Sequence, residues 1–191
     1  MKEKKLIYKT LKLICGPLFK ILYRPKVYGK ENIPEEGAVI FVGNHIHAFD
    51  PVGVMTNTKR IVHYMAKESV FKGLPGILFK HIGLIKVYRT KSNPRAVVEA
   101  VKILRNGGTV GIFPEGTRNR TERELLPFRH GAVAIAKKAN TKLIPFAIRG
   151  KYQIFKKGLE IEFGEPVDVS KMVIEEANEY IRNEVLKLLR K

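Results

Sequence analysis

The sequence predicts an α/β fold: a single domain with a largely parallel mixed sheet flanked by helices, plus an N-terminal amphipathic helical segment that associates with membranes. Three features point there. From about residue 26 onward, short apolar runs ending in turn residues alternate with segments of helical periodicity. Two of those runs are followed by helix-start signals, Asp50-Pro51 and Asn93-Pro94, with a capping side chain before a proline. The 191 residues are 45% hydrophobic and 28% charged, which suits one packed domain and excludes wholesale disorder. The expected division is residues 1–25 for the N-terminal segment and 26–191 for the α/β domain.

In the first segment, at about 100° per residue, Ile7, Leu11, Ile14, Leu18 and Leu22 fall on one stripe, widened by Phe19 and Tyr23. Lys2, Lys5, Lys9, Lys12 and Lys20 fall opposite. Gly16-Pro17 is expected to kink or split the helix, because proline cannot donate and clashes with the carbonyl four residues back. A basic helix pair lying in a bilayer interface fits this pattern; a surface helix packed on its own domain is the alternative. A membrane span needs about 20 apolar residues, whereas the longest uncharged run, Gly37 to Phe49, has 13 and includes two histidines.

The domain elements follow in order. Ala38–Val42 reads as a buried strand ending at Gly43, and Asp50-Pro51 opens a helix with the aspartate as its cap. Leu84–Tyr88 is a short strand. Asn93-Pro94 opens a helix whose stripe is Val97, Val98, Val101 and Leu104, stopped by Gly107-Gly108. Thr109–Phe113 is a buried strand, Gly131–Ala139 a small-residue helix, Lys142–Ile148 a strand, and Leu159–Phe163 alternates like a strand. Residues 171–190 form a last amphipathic helix through Ile174, Ala177, Ile181, Val185 and Leu188.

Charge narrows the partners. Lys+Arg 36 against Asp+Glu 18 gives +18, which calls for an anionic partner: nucleic acid, an anionic membrane surface or a phosphorylated substrate. Residues 1–30 hold nine basic side chains and only Glu3 as an acid, a net +8. RNA-binding aromatic motifs and zinc-finger spacings are absent, so no nucleic-acid partner is expected. The single cysteine, Cys15, excludes an internal disulfide and a cysteine zinc cage. With no cleavage pattern after the N-terminal apolar stretch, a cytoplasmic setting is expected.

The chemistry-bearing residues sit after strands, where open α/β sheets bind ligands. In Asn44-His45-Ile46-His47-Ala48-Phe49-Asp50, a continuous helix would place His45 and Asp50 about 140° apart. They meet only if the loop folds back. One Asp50 oxygen then caps the helix and the other receives the His45 Nδ1 proton, leaving Nε2 as a base. A loop histidine beside a capping aspartate is the plain alternative, and His45 with His47 as ligands of a metallohydrolase is another. That last reading has little to draw on: His63, His81 and His130 are scattered, and Asp50 and Asp168 are the only aspartates. No metal and no cofactor are expected. Gly116 permits close backbone approach, while Arg118 and Arg89 offer planar forks for phosphate oxygens. Ser69, Ser92 and Ser170 lie in no nucleophile elbow, so a covalent acyl-enzyme is not expected.

These residues give the chain a resemblance to the PlsC-type glycerolipid acyltransferases, the 1-acylglycerol-3-phosphate acyltransferase family. Its motif N-H-x4-D is matched by Asn44, His45 and Asp50, and F-P-E-G-T-R by Phe113 through Arg118. G-x-x-F-I-x-R is matched at Gly83, Val87 and Arg89, with Lys86 in the aromatic place; a proline in an apolar strand is matched by Leu143-Ile144-Pro145-Phe146. The resemblance covers roughly residues 26–165. It implies acyl transfer from acyl-CoA or acyl-carrier protein to the free hydroxyl of lysophosphatidic acid, giving phosphatidic acid for phospholipid biosynthesis. Another lysophospholipid acceptor is the alternative within the family. It also implies that His45 is the base and Asp50 its partner. Arg89, Glu115, Gly116, Thr117 and Arg118 would serve the glycerol phosphate, joined by Lys67, which resembles a family lysine. A monotopic site of action on the cytoplasmic face of the cell membrane follows from substrates that reside in the bilayer.

Overall fold

The strand Val39–Gly43 is buried along its whole length, and its neighbours in sequence space explain why. Ile40 and Val42 point into one apolar layer, and Val39 and Phe41 into the other, as a strand covered on both faces requires. The computed structural model describes residues 2–73, 76, 79, 81–88 and 93–191, with side chains from Leu6 onward. Among these, seven strands form one sheet in the order β1-β7-β6-β2-β5-β3-β4. They are β1 (Lys26–Tyr28), β2 (Val39–Gly43), β3 (Val62–Lys67), β4 (Ile85–Val87), β5 (Thr109–Ile112), β6 (Lys142–Arg149) and β7 (Glu160–Phe163).

Strands β4, β3, β5, β2 and β6 run parallel, while β7 is antiparallel to β6 and carries β1 parallel to itself. From β2 the chain moves out to β3 and β4, returns as β5 beside β2, then crosses to β6 on the other side. That reversal makes the carboxyl ends of β2, β5 and β6 a topological switch point, where open α/β sheets bind ligands. Helices α3 (Pro94–Arg105), α4 (Gly131–Ala139) and α5 (Ile174–Leu189) cover one face, where Ala100, Leu104, Ile135, Ile181 and Val185 meet Ile40, Val42 and Val110. Helices α1 (Lys2–Tyr23) and α2 (Asp50–Met55) cover the other, where Tyr8, Phe19, Tyr23 and Val54 meet Phe41, Ile144, Phe146 and Phe163. Each fully buried Phe or Ile among them contributes roughly 1.5–3 kcal/mol.

Three expectations are corrected here. The N-terminal segment is one continuous helix through Pro17 rather than two. Contacts on both sides of the proline hold it: before it Tyr8 Oη accepts the Val62 N–H at 3.0 Å and buried Gly16 lies against Thr56, and after it Phe19 and Tyr23 are buried in the core. The apolar stripe is shared between two environments. Ile7, Leu11 and Leu22 pack on the domain, whereas Ile14 and Leu18 face outward with Leu6, Leu13 and Ile21. Lys12 does not point outward either; its ammonium donates to the Thr58 and Arg60 carbonyls. A helix periodicity identifies apolar faces but not which of two opposed faces a domain takes. Strands β1 and β3 carried no readable signal. β1 has three residues, and in β3 half-buried His63 and terminal Lys67 break the apolar run. Among the described residues, no helix is long and apolar enough to cross a membrane.

Candidate active site

The site begins where β2 runs out. A Cβ at Gly43 would meet the Phe146 carbonyl oxygen at 2.4 Å, so the residue there has to be glycine for β2 and β6 to pair this closely. Asn44, buried next to it, continues the pairing with its side chain. Its Nδ2 donates to the Ile148 carbonyl and its Oδ1 accepts the Ile148 N–H, both at 2.8 Å. His45 is then pinned through its backbone: its N–H donates to Glu115 Oε1 at 2.6 Å, and its carbonyl accepts the Asn119 N–H at 2.6 Å.

From this anchor the loop folds back onto Asp50. Oδ2 accepts the N–H groups of Ile46 at 2.7 Å and His47 at 2.8 Å, and lies 2.7 Å from His45 Nδ1. Asp50 is the first residue of α2, Phe49 is the cap, and no side chain caps this helix. The expected capping role is therefore corrected: Oδ2 turns back toward the loop, whose amides have no strand to pair with. The second oxygen, Oδ1, accepts the Tyr152 hydroxyl at 2.6 Å. Asp50 is completely buried and the His45 side chain is 19% exposed. A carboxylate only accepts, so His45 Nδ1 donates in the shared bond, and Nε2 is the ring nitrogen left to exchange a proton with a ligand. Nε2 has no hydrogen-bond partner among the described residues. The ring stacks on Phe113 at 4.2 Å between centroids, and Phe113 stacks in turn on Tyr64.

His47 occupies a different setting. Its ring stacks on Tyr152 at 4.3 Å, its Nδ1 accepts the Phe49 N–H, and only its backbone reaches Asp50. Among the described residues, no group of three or more His, Cys, Asp or Glu is arranged to hold a metal ion.

The second loop follows β5. Buried Glu115 braces it, with Oε1 on His45 N–H and Oε2 accepting the Leu126 N–H at 3.0 Å. Burial pushes its carboxyl up from the ordinary range, against the pull of those two donors. Gly116 has a φ of 69°, and a Cβ there would meet the Arg129 guanidinium. Thr117 and Arg118 are exposed beyond it. Lys67 is exposed at the carboxyl end of β3, opposite Val87 of β4. Lys86 lies over the rings of Phe71 and Tyr88. Arg89 lies outside the described residues. The topology thus brings His45, Asp50, Lys67 and the Glu115–Arg118 turn to one edge of the sheet.

Two residues of this edge gave no sign in the sequence. Tyr152 lies 102 residues from Asp50, and no local spacing links them. Burial, then the neighbouring carboxylate, pushes its hydroxyl well above the ordinary value, so it remains a donor at any physiological pH. Arg129 reaches the site because its N–H donates to the Pro114 carbonyl, which lays its side chain over Gly116. The arrangement offers a positioned base, an acceptor-only carboxylate behind it, and cationic side chains on adjacent loops.

Comparison with known proteins shows the family. Residues 24–149 match the family described as Acyltransferase. The chain is 34% identical over 151 residues to the 1-acyl-sn-glycerol-3-phosphate acyltransferase of Bacillus subtilis, covering 74% of this chain and 73% of that protein. It is 35% identical over 142 residues to the Borreliella burgdorferi protein of the same name, covering 72% of this chain and 56% of that one. The crystal structure of the 1-acyl-sn-glycerophosphate (LPA) acyltransferase PlsC from Thermotoga maritima superposes with a TM-score of 0.78 at 26% identity, over 98% of this chain and 80% of that chain.

Proposed function

The chain belongs to the Acyltransferase family, and from that premise we propose that it moves a fatty acyl group from a thioester of coenzyme A or acyl-carrier protein to the free hydroxyl of 1-acylglycerol 3-phosphate, giving phosphatidic acid. One observation carries this reading: the 2.7 Å contact between His45 Nδ1 and Asp50, which leaves Nε2 open beside a cationic loop at the carboxyl edge of the sheet. The acceptor hydroxyl gives its proton to Nε2 as its oxygen attacks the thioester carbonyl. Asp50 stabilises the imidazolium that results. The carbonyl re-forms, the carbon–sulfur bond breaks, and the leaving thiolate takes the proton from His45. Arg118 and Lys67, with Arg129 behind Gly116, supply cations for the phosphate. Phosphatidic acid formed from labelled thioester and lysophosphatidic acid by the purified protein is the expected result. No turnover with either thioester class would overturn the reading.

The protein works docked on the cytoplasmic face of the cell membrane. The support is the outer face of α1, where Leu6, Leu13, Ile14, Leu18 and Ile21 are all more than half exposed while the opposite face packs on the domain.

Two substitutions probe the site. Arg118→Ala is expected to raise the acceptor KM by about 10- to 100-fold with kcat little changed, because a charge-assisted hydrogen bond of about 1.5–3 kcal/mol is lost. Arg118→Lys recovers only part, since a point charge replaces the fork. Unaltered kinetics would remove Arg118 from the phosphate site. Tyr152→Phe removes only the hydroxyl on Asp50 Oδ1. It is expected to lower kcat about tenfold with KM unchanged, since a freed carboxylate oxygen loosens the dyad's geometry. A change confined to thermal stability would make Tyr152 a packing residue.

A further inference from the structure

Residues 151–158, Lys-Tyr-Gln-Ile-Phe-Lys-Lys-Gly, link β6 to β7. Burial cannot explain the loop's two large apolar residues: Ile154 is 57% exposed and Phe155 65%. Lys151, Lys156 and Lys157 are exposed around them, and no acidic residue interrupts the run. Phe155 takes a φ of 59°, a conformation that bulky side chains rarely adopt. Its N–H donates to the Leu22 carbonyl at 2.6 Å, which fastens the loop to the carboxyl end of α1.

We propose that this loop is a second bilayer-contacting element, with Ile154 and Phe155 inserted among the lipids and Lys151, Lys156 and Lys157 on anionic headgroups. The inference rests on the acyltransferase reading for its purpose, and on the loop's own geometry for its evidence. An apolar centre inside a cationic collar is the chemistry of an anionic interface. The Leu22 bond fixes the loop at the carboxyl end of α1, the end that carries exposed Leu18 and Ile21, so the two apolar elements lie at one end of that helix. The loop's root is Tyr152, whose hydroxyl holds Asp50. An acceptor resident in the bilayer therefore meets the protein on the side where the dyad lies. The same lysines would suit an acidic protein such as a carrier protein. The exposed apolar side chains of α1 at the same end, Leu18 and Ile21, favour lipid, which they can enter and which an acidic protein does not replace.

The test uses the full chain and co-sedimentation with vesicles of phosphatidylcholine containing rising fractions of phosphatidylglycerol. The variant Ile154→Ser/Phe155→Asn keeps the loop foldable, because asparagine tolerates a positive φ. It is expected to lose about tenfold or more in vesicle partition, while turning over a short-chain, water-soluble lysophosphatidic acid like the wild type. Lys156→Gln/Lys157→Gln is expected to flatten the dependence on phosphatidylglycerol. Leu13→Ser/Leu18→Ser, on the outer face of α1, should weaken binding separately, and combining it with the tip variant should weaken it further. Wild-type partition by the tip variant would overturn the proposal. So would a loss confined to carrier-protein thioesters with vesicle binding intact, which would reassign the loop to an acidic protein. The vesicle measurement needs no turnover, so failure of the acyltransferase reading would show only in the soluble-acceptor assay.

Discussion

His45→Ala is expected to abolish measurable acyl transfer, with a loss of about 10²–10⁴-fold in the chemical step, while His47→Ala retains most activity. The two histidines share one loop and differ in what stands behind them. His45 Nδ1 is held 2.7 Å from a completely buried carboxylate, and its ring lies flat on Phe113, so the ring is fixed with Nε2 directed away from Asp50. The His47 ring stacks on Tyr152, and the bond from that residue to Asp50 is a backbone N–H, which alanine keeps. The loop should also survive His45→Ala, because Glu115 and Asn119 hold residue 45 through its main chain. Acceptor binding by His45→Ala therefore persists. Single-turnover transfer by both variants, each shown folded by circular dichroism, decides the matter. An inactive His47→Ala beside an active His45→Ala would reverse the assignment.

Asp50→Asn is expected to fold and to lose transfer by a factor in the same range of about 10²–10⁴. The geometry explains how both can hold. Oδ2 faces three donors, the His45, Ile46 and His47 N–H groups, while Oδ1 faces one hydroxyl. An asparagine can place its oxygen on the three donors and its amide toward Tyr152, whose hydroxyl then accepts. The hydrogen bonds survive and the negative charge does not, so the imidazolium formed during transfer loses its stabilisation. Asp50→Ala differs: it strands the half-buried Ile46 and His47 amides, each costing up to about 1–3 kcal/mol. Comparing the two variants by thermal unfolding and by kcat separates the loop-holding role of Asp50 from its charge. An Asp50→Asn protein with near-wild-type kcat would show that the charge is not used.

The fold was legible wherever burial imposes a pattern on the chain. β2, β5 and β6 are covered on both faces, so their interiors are apolar, and the ends expected at Gly43, Phe113 and Ile148 fall within one residue of the observed Gly43, Ile112 and Arg149. The starts of α2 and α3 were legible because proline is tolerated in a first helical turn and disfavoured deeper in. β3 was hidden because it is half-buried and carries His63 and Lys67. Asp50-Pro51 marked the right boundary for a different reason from capping, since the carboxylate serves the preceding loop.

By itself the sequence determined the α/β class, the loops that follow the strands, and the residues His45, Asp50 and Phe113–Arg118 as the place to look. Those are properties of short segments, in which the physics acts between near neighbours. Only the tertiary structure decided the rest. It set which apolar face of α1 the domain covers and turned Lys12 inward to two carbonyls. It brought Tyr152 onto Asp50, and it seated an exposed Ile154-Phe155 tip at the end of α1. Each of these depends on groups far apart in the chain that meet only once the sheet has formed. No local periodicity or spacing carries that information.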